Sequence, residues 1–439
     1  MTKRGVRVGD PRILVFLRIG IQTWGSEGDI RPFVALGAAL TRRGHHVELL
    51  YTEISTRRYE HVAAALGFTA RAVASPVIAT REREYEVGLA AIGSRDEFSQ
   101  GLLIVRELLD PVAEPMYEAG LDLCSRSDLL IHHFILHPSR AAADKSATPF
   151  ATVAFAHMLA PSRYINASGL PDLGPWANSL AWAIARFALN QTMLRKVNRF
   201  RADKGLPPLG DLLRDAWSSH LLHLLASSPA FLDRPADWPE WIQMCGFLEL
   251  PAHEHETLAP EVDAFLRAGP SPVFMGFGSL MPISGSHLSD TVGVFEAAAA
   301  RAKSRAIIQS EIERPSTADI LFIKRAPHNL VFPRCAAIVH HAGAGTTHTA
   351  LRAGTPSVPV PHVSDQFLWS RELQRLGVAP PPLRRTKLAA APLASRLSEV
   401  LEAPQMRAAA RSVSARMQRD NGPGTAADLI ERAMGWNKN

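Results

Sequence analysis

AAIVHHAGAGTTHTALRAGTPSVPVP, residues 336–361, is the stretch on which the fold turns. Its first five residues, 336–340, predict a short buried strand. A glycine turn follows, then a helix over 346–353 and a second strand over 357–361. A strand that passes through glycine straight into a helix and returns as a strand is one unit of a parallel α/β sheet. The turn has chemical meaning as well. Gly343 and Gly345, with Ala344 between them, let backbone N–H groups face a ligand with no Cβ in the way. The helix start adds free N–H donors and partial positive charge, Thr346 and Thr347 add hydroxyls, and His341 adds a ring donor. Together these make an anion site suited to a diphosphate. Two familiar phosphate motifs are absent: GxGxxG would need glycine where His348 stands, and no Gly-Lys-Ser/Thr follows. The competing reading is a glycine turn kept only for packing.

Immediately downstream, Asp365 and Gln366 follow the strand 357–361. Open α/β sheets bind ligands at the carboxyl ends of their strands, and a carboxylate beside an amide suits sugar hydroxyls. A helix cap is the plainer alternative. Upstream, the same plan begins with a strand at 272–277, ending in Gly276-Phe277-Gly278-Ser279, and continues through a helix at 288–303, a strand at 305–309 and Ala326-Pro327-His328. Residues 233–260, rich in Pro, Trp, Glu and His, read as a boundary. Before it lies another α/β series: a strand at 18–24, the turn GSEGD, a helix at about 30–43 and a strand at 47–52. Asp29 sits where an N-cap belongs. It could accept a proton from a hydroxyl across a cleft, although a helix N-terminus lowers the pKa of a carboxylate and with it the basicity. His45, His46, His132 and His133 flank strands and read as packing or surface residues. The expected organisation is 1–235 as a first Rossmann-like domain with 1–16 as an extension, 236–420 as a second, and 421–439 as a helix packing back on the first.

The composition of the 439 residues, 46% hydrophobic and 21% charged, is that of a folded protein with large cores. The net charge of +6 permits an anionic ligand or surface, but no nucleic-acid-binding signature accompanies it. Cys124, Cys245 and Cys335 are far apart and form no CxxC. This argues against structural zinc or a disulfide framework and for a reducing, cytoplasmic setting. The run ILVFL at 13–17 is broken by Arg18, a poor secretory signal. Nothing reaches the about 20 apolar residues of a membrane span. The helical stretch 176–201 places Trp176, Leu180, Trp182, Ile184 and Phe187 ahead of Arg195, Lys196, Arg199 and Arg201. That suits a solvated basic face or peripheral contact with a membrane. With the segment 157–175, its aromatic residues hint at a hydrophobic acceptor pocket.

These stretches together resemble family 1 glycosyltransferases of the two-domain GT-B fold, an α/β architecture of two facing Rossmann-like domains with a cleft between them. The similarity is to the bacterial branch with antibiotic aglycone glycosyltransferases, rhamnolipid-type rhamnosyltransferases and sterol glucosyltransferases. It is carried by GSEGDIRPFVALGAALTRRGHHV, VFMGFGS and APHNLVFPRCAAIVHHAGAGTTHTALRAGTPSVPVPHVSDQFLWSRELQRLGV. The resemblance implies that His341, Gly343, Ala344, Gly345, Thr346 and Ser279 hold the donor diphosphate, that Asp365 and Gln366 bind the donor sugar, and that the backbone at Arg325 and Ala326 packs on the base. It makes Asp29 the general base of an inverting transfer from a UDP- or dTDP-sugar to a hydroxyl of a hydrophobic small molecule. Neither a metal nor a further cofactor is implied. Arg325 stands where plant relatives carry Trp, and Phe367 where Pro is common, so the base and the sugar are not carried over. A sugar-nucleotide epimerase or hydrolase on the same fold and a non-catalytic auxiliary protein are the alternatives.

Overall fold

The computed structural model describes residues 16–54, 58–75, 81–94, 96–167, 172–250, 257–278, 285–312, 314–363 and 365–435. Apolar runs flanked by glycine give two all-parallel sheets. The first contains β1 (Arg18–Gly25), β2 (His46–Glu53), β3 (Thr69–Ala72), β4 (Leu129–His133), β5 (Phe150–Ala154), β6 (His223–Leu225) and β7 (Ile242–Met244), in the order β3-β2-β1-β4-β5-β6-β7. The second contains β8 (Val273–Met275), β9 (Ala306–Gln309), β10 (Ile320–Ile323), β11 (Ala337–His340) and β12 (Ser357–Pro359), in the order β10-β9-β8-β11-β12. The central strands are buried on both faces, as parallel sheets require: Ile19, Ile21, Leu49, Ile131 and Val153 are almost fully inaccessible in the first, and Val273, Ile308 and Val339 in the second.

Two expectations are corrected. β7 pairs with β6, so the first sheet reaches Met244 rather than stopping at 235. The Pro- and Trp-rich stretch hides a three-residue strand too short to show a period. The first helix starts at Glu27, not 30, with Ser26 as its N-cap, which makes Asp29 the third helical residue and not the cap.

The last helix, Gly422–Ala433, inserts Ala426, Ala427 and Ile430 into the core cluster that contains Ile19, Phe33 and Leu36. Its Glu431 takes Arg43 at 2.8 Å and His45 at 3.2 Å. The two halves also meet where Phe231 packs against Trp369, ring centroids 5.4 Å apart, and where Arg371 pairs with Glu97 at 3.0 Å.

Candidate active site

In each sheet the strand order reverses beside its first strand, between β1 and β4 and between β8 and β11. Ligands of open α/β sheets bind in the crevice outside the carboxyl ends at such a reversal. The functional side chains expected from the sequence fall at these two crevices. Asp29 follows β1, and His341 follows β11.

Asp29 folds back over its own turn. Its Oδ2 accepts from the Ser26 backbone N–H at 2.8 Å and from the Ser26 hydroxyl at 3.1 Å, as the third residue of a capping box does. Gly25 makes room for it: with φ +128°, a Cβ there would lie 2.3 Å from Asp29 Oδ2. The helix terminus and these donors favour the charged form, yet burial outweighs them and raises the carboxyl to about 6. This reverses the sequence expectation of a lowered pKa. Its physical source is the covering of the crevice, which a reading of one helix end does not contain. A carboxylate with that pKa is ionised at neutral pH and basic enough to take a proton.

On the opposite side, the helix starts at Ala344, with Gly343 as its N-cap. The His341 ring is held between two glycines. A Cβ on Gly343 would lie 2.5 Å from Nε2, and one on Gly278 would lie 3.2 Å from Cε1. Burial first, and His328 next, push His341 down to about 4, so it is neutral, and its Nδ1 has no partner. A buried polar atom without a partner is unfavourable, and a ligand atom at this point would relieve it. Ala342, beside it, has φ +62°, a left-handed conformation unusual for alanine. Thr347 is buried and its hydroxyl unpartnered, while Thr346 is half-buried as the third residue of that helix. Ser279 lies outside the described residues.

Asp365 opens the helix Asp365–Arg375. Burial, and then the charge of Asp29, raise its carboxyl to about 7, which brings the two acids to bear on each other across the cleft. Gln366 is buried and its Oε1 accepts from the backbone N–H of His362 at 2.8 Å and of Val363 at 3.1 Å. The amide carbonyl thus shapes the loop. Arg325 is exposed, and Ala326 packs on the core that contains Leu321 and Ile323. Among the described residues no three His, Cys, Asp or Glu side chains converge as a metal site would.

The raised carboxyl of Asp365 has a consequence for stability. At about 7 it exceeds its ordinary 3.8, so the folded chain holds a proton there that the unfolded chain loses at lower pH. Stability therefore falls as pH rises through this window, and the penalty is complete above it. Asp365→Asn should raise the unfolding free energy at pH 8 by about 1–2 kcal/mol, discounted for the open part of the side chain, and should leave it unchanged at about pH 4. Urea unfolding at the two pH values measures this. An equal gain at both would contradict a charge origin.

Two residues to which the sequence reading gave no catalytic part also lie near this site. His133, read as packing or surface, places Nε2 3.8 Å from Asp29 Oδ1. The Ile135 backbone N–H points at His133 Nδ1 at 3.4 Å, which leaves the proton on Nε2, facing the carboxylate. Burial pushes His133 down to about 3, so the ring is a neutral dipole and not a cation. The contact is electrostatic, being too long for a hydrogen bond. It exists because β1 and β4 are neighbours, which only the strand order reveals. His133→Phe should move the acid limb of kcat/KM to higher pH and lower the rate at pH 6 roughly threefold. An unmoved pH profile would make His133 packing alone. Arg31, one turn into the same helix, pairs with Glu27 at 3.1 Å and brings its charge to His328 in the facing half and to Glu249 in the connecting segment.

Comparison with known proteins bears on the fold and the family. The C-terminal domain of erythromycin biosynthesis protein CIII-like proteins matches residues 295–432. O-mycaminosyltylonolide 6-deoxyallosyltransferase of Streptomyces fradiae is 30% identical over 428 residues, 94% of this chain and 97% of that one. A sterol 3-beta-glucosyltransferase of Arabidopsis thaliana is 26% identical over 445 residues, 95% of this chain and 68% of that one. The structure of the glycosyltransferase VinC in complex with dTDP superposes with a TM-score of 0.61 at 18% identity, covering 95% of this chain and 100% of that one. With two parallel sheets facing across a cleft and these relatives, the chain is a nucleotide-sugar-dependent glycosyltransferase of the GT-B fold. The chain belongs to family 1 of these enzymes.

Proposed function

We propose that this enzyme moves a hexose from a UDP- or dTDP-sugar to a hydroxyl of a hydrophobic small molecule, an aglycone, sterol or lipid, with inversion at the anomeric carbon. The observation that carries the reading is the opposition of Asp29 to Asp365 across one cleft, with His341 on the Asp365 side, its ring 6.3 Å from that of His362, whose backbone N–H donates to Gln366. Asp29 takes the acceptor's hydroxyl proton as the oxygen attacks the anomeric carbon. The bond to the nucleoside diphosphate breaks, and the leaving group's charge is received by the N–H groups of the helix that starts at Ala344 and by the neutral His341. Helix and ring donors supply what a cation otherwise would, so no metal enters the mechanism. Asp365 and the Gln366 NH2 hold the sugar. The dTDP bound by VinC supports a thymidine donor, and the sterol enzyme's name supports a flat apolar acceptor.

The acceptor side is apolar. Trp24, Leu108, Leu109 and Leu136 cluster where β1 and β4 end, and the Trp24 indole N–H is buried without a partner. Cys124, Cys245 and Cys335 are buried free thiols, which suits a reducing cytoplasm. The test is nucleoside diphosphate release from UDP- and dTDP-hexoses with a panel of sterols, polyketide aglycones and hydroxy fatty acids, with the product's anomeric configuration read by NMR. Acceptor-dependent release with an inverted product is expected. Release without an acceptor product would point to a hydrolase, and retained configuration would refute the single displacement.

A further inference from the structure

The helix Pro175–Leu189 turns a row of large apolar side chains to solvent: Trp176 is 80% exposed, Leu180 49%, Ile184 59% and Phe187 67%. Spacings of four, four and three residues put them on one stripe. The helix already has its core contact on the other side. There Trp182 is buried against Ala167 and Leu213, and its indole N–H donates to the Ile165 carbonyl at 2.7 Å. A folded chain in water rarely leaves so continuous an apolar stripe uncovered.

Charge names the cover. The helical path continues through Asn190–Leu194 into Arg195–Asp203. From Pro175 to Ala202 the sequence holds no Asp or Glu. Arg186, Lys196 and Arg201 are met from other elements by Asp211, Asp110 and Asp144, while Arg195 and Arg199 pair with no carboxylate among the described residues. Continuing the stripe along its own face leads to Arg195 and Arg199, both exposed. An apolar row ending in two exposed guanidinium groups that no carboxylate neutralises matches acyl chains beside anionic headgroups. A second copy of this chain would bring the same cations and no acid to meet them. Among the described residues no helix is long and apolar enough to cross a membrane, so this one lies along the surface.

We infer that the outer face of Pro175–Leu189, with Arg195 and Arg199, docks the enzyme on an anionic lipid surface. The placement suits the chemistry, and this step rests on the function proposed above. Beneath the helix, Leu189 packs in a cluster with Trp217, and Trp217 meets Phe134 edge-on at 5.3 Å. Phe134 follows His133, the residue facing Asp29. A lipid-borne acceptor would thus enter on the side of the catalytic base.

The test is co-sedimentation of the full chain with vesicles of phosphatidylcholine, alone or with about a third phosphatidylglycerol, without donor or acceptor. Binding to the anionic vesicles should exceed binding to the neutral ones at least about tenfold and weaken with salt. Combined Trp176→Gln, Leu180→Gln, Ile184→Gln and Phe187→Gln should abolish it, and Arg195→Glu with Arg199→Glu should reduce it about tenfold or more. All these side chains are exposed, and an unchanged thermal midpoint and unchanged UDP or dTDP binding certify the fold. Wild-type protein left in the supernatant would overturn the inference, as would variants that sediment like wild type. So would a wild-type dimer by light scattering that the glutamine variant converts to monomer. Because the assay contains no sugar nucleotide, its failure leaves the transferase reading intact, and failure of that reading leaves vesicle binding to be judged by itself.

Discussion

Asp29→Asn should lower kcat by about a hundredfold to ten-thousandfold while leaving affinity for the nucleoside diphosphate within about twofold of wild type. Asparagine keeps the shape and can still meet the Ser26 N–H and hydroxyl that Asp29 accepts from, so the first helix should start as before. It cannot take the acceptor's proton. Burial raises the wild-type carboxyl to about 6, so its active, ionised form is lost as pH falls through that value. kcat/KM for the acceptor should therefore be flat at neutral pH and fall about tenfold per unit well below 6. The asparagine variant should show no such limb. Steady-state rates from pH 5 to 8 read both effects. A variant within a few-fold of wild type, or an acid limb that survives in it, would move the base elsewhere.

His341→Ala should produce the second large loss. The ring is fixed between Gly278 and Gly343, is neutral, and has Nδ1 unpartnered inside the protein. A donor so fixed loses little on meeting the leaving group and acts on charge that develops only as the glycosidic bond breaks. Its removal should lower kcat by about a hundredfold to a thousandfold and weaken the nucleoside diphosphate about tenfold. Stability should move little, because the variant deletes an unpartnered polar group along with some packing. Calorimetric titration and single-turnover rates separate the two effects. Loss of affinity with kcat preserved would make His341 a binding residue for the ground state only.

The legibility of this molecule follows the range of its interactions. The strand–turn–helix at the proposed diphosphate site was readable because its parts are contiguous: β11, the turn at Gly343 and the helix from Ala344 form one local unit. Gln366 was readable as a position but not as a geometry, since its carbonyl turns back to the loop at His362 and Val363. The direction of the Asp29 shift was misread because helix-end electrostatics are local while burial comes from the whole cleft. His133 stayed hidden because its meeting with Asp29 depends on β1 and β4 being neighbours. Trp176, Trp182 and Phe187 were grouped as acceptor-lining aromatics, yet Trp182 points inward and the other two lie open to solvent. A 3.6-residue period tells the faces of a helix apart but not which one the core will take.

The measurement that bears most directly on the central claim is calorimetric titration of the wild-type chain with UDP, dTDP and GDP in the presence of a chelator. UDP or dTDP should bind with micromolar affinity, GDP far more weakly, and the bound nucleotide should shift the signal of His341 in an imidazole-observed NMR spectrum. Failure of all three to bind, or binding that leaves His341 unperturbed, would contradict a donor site at the glycine turn.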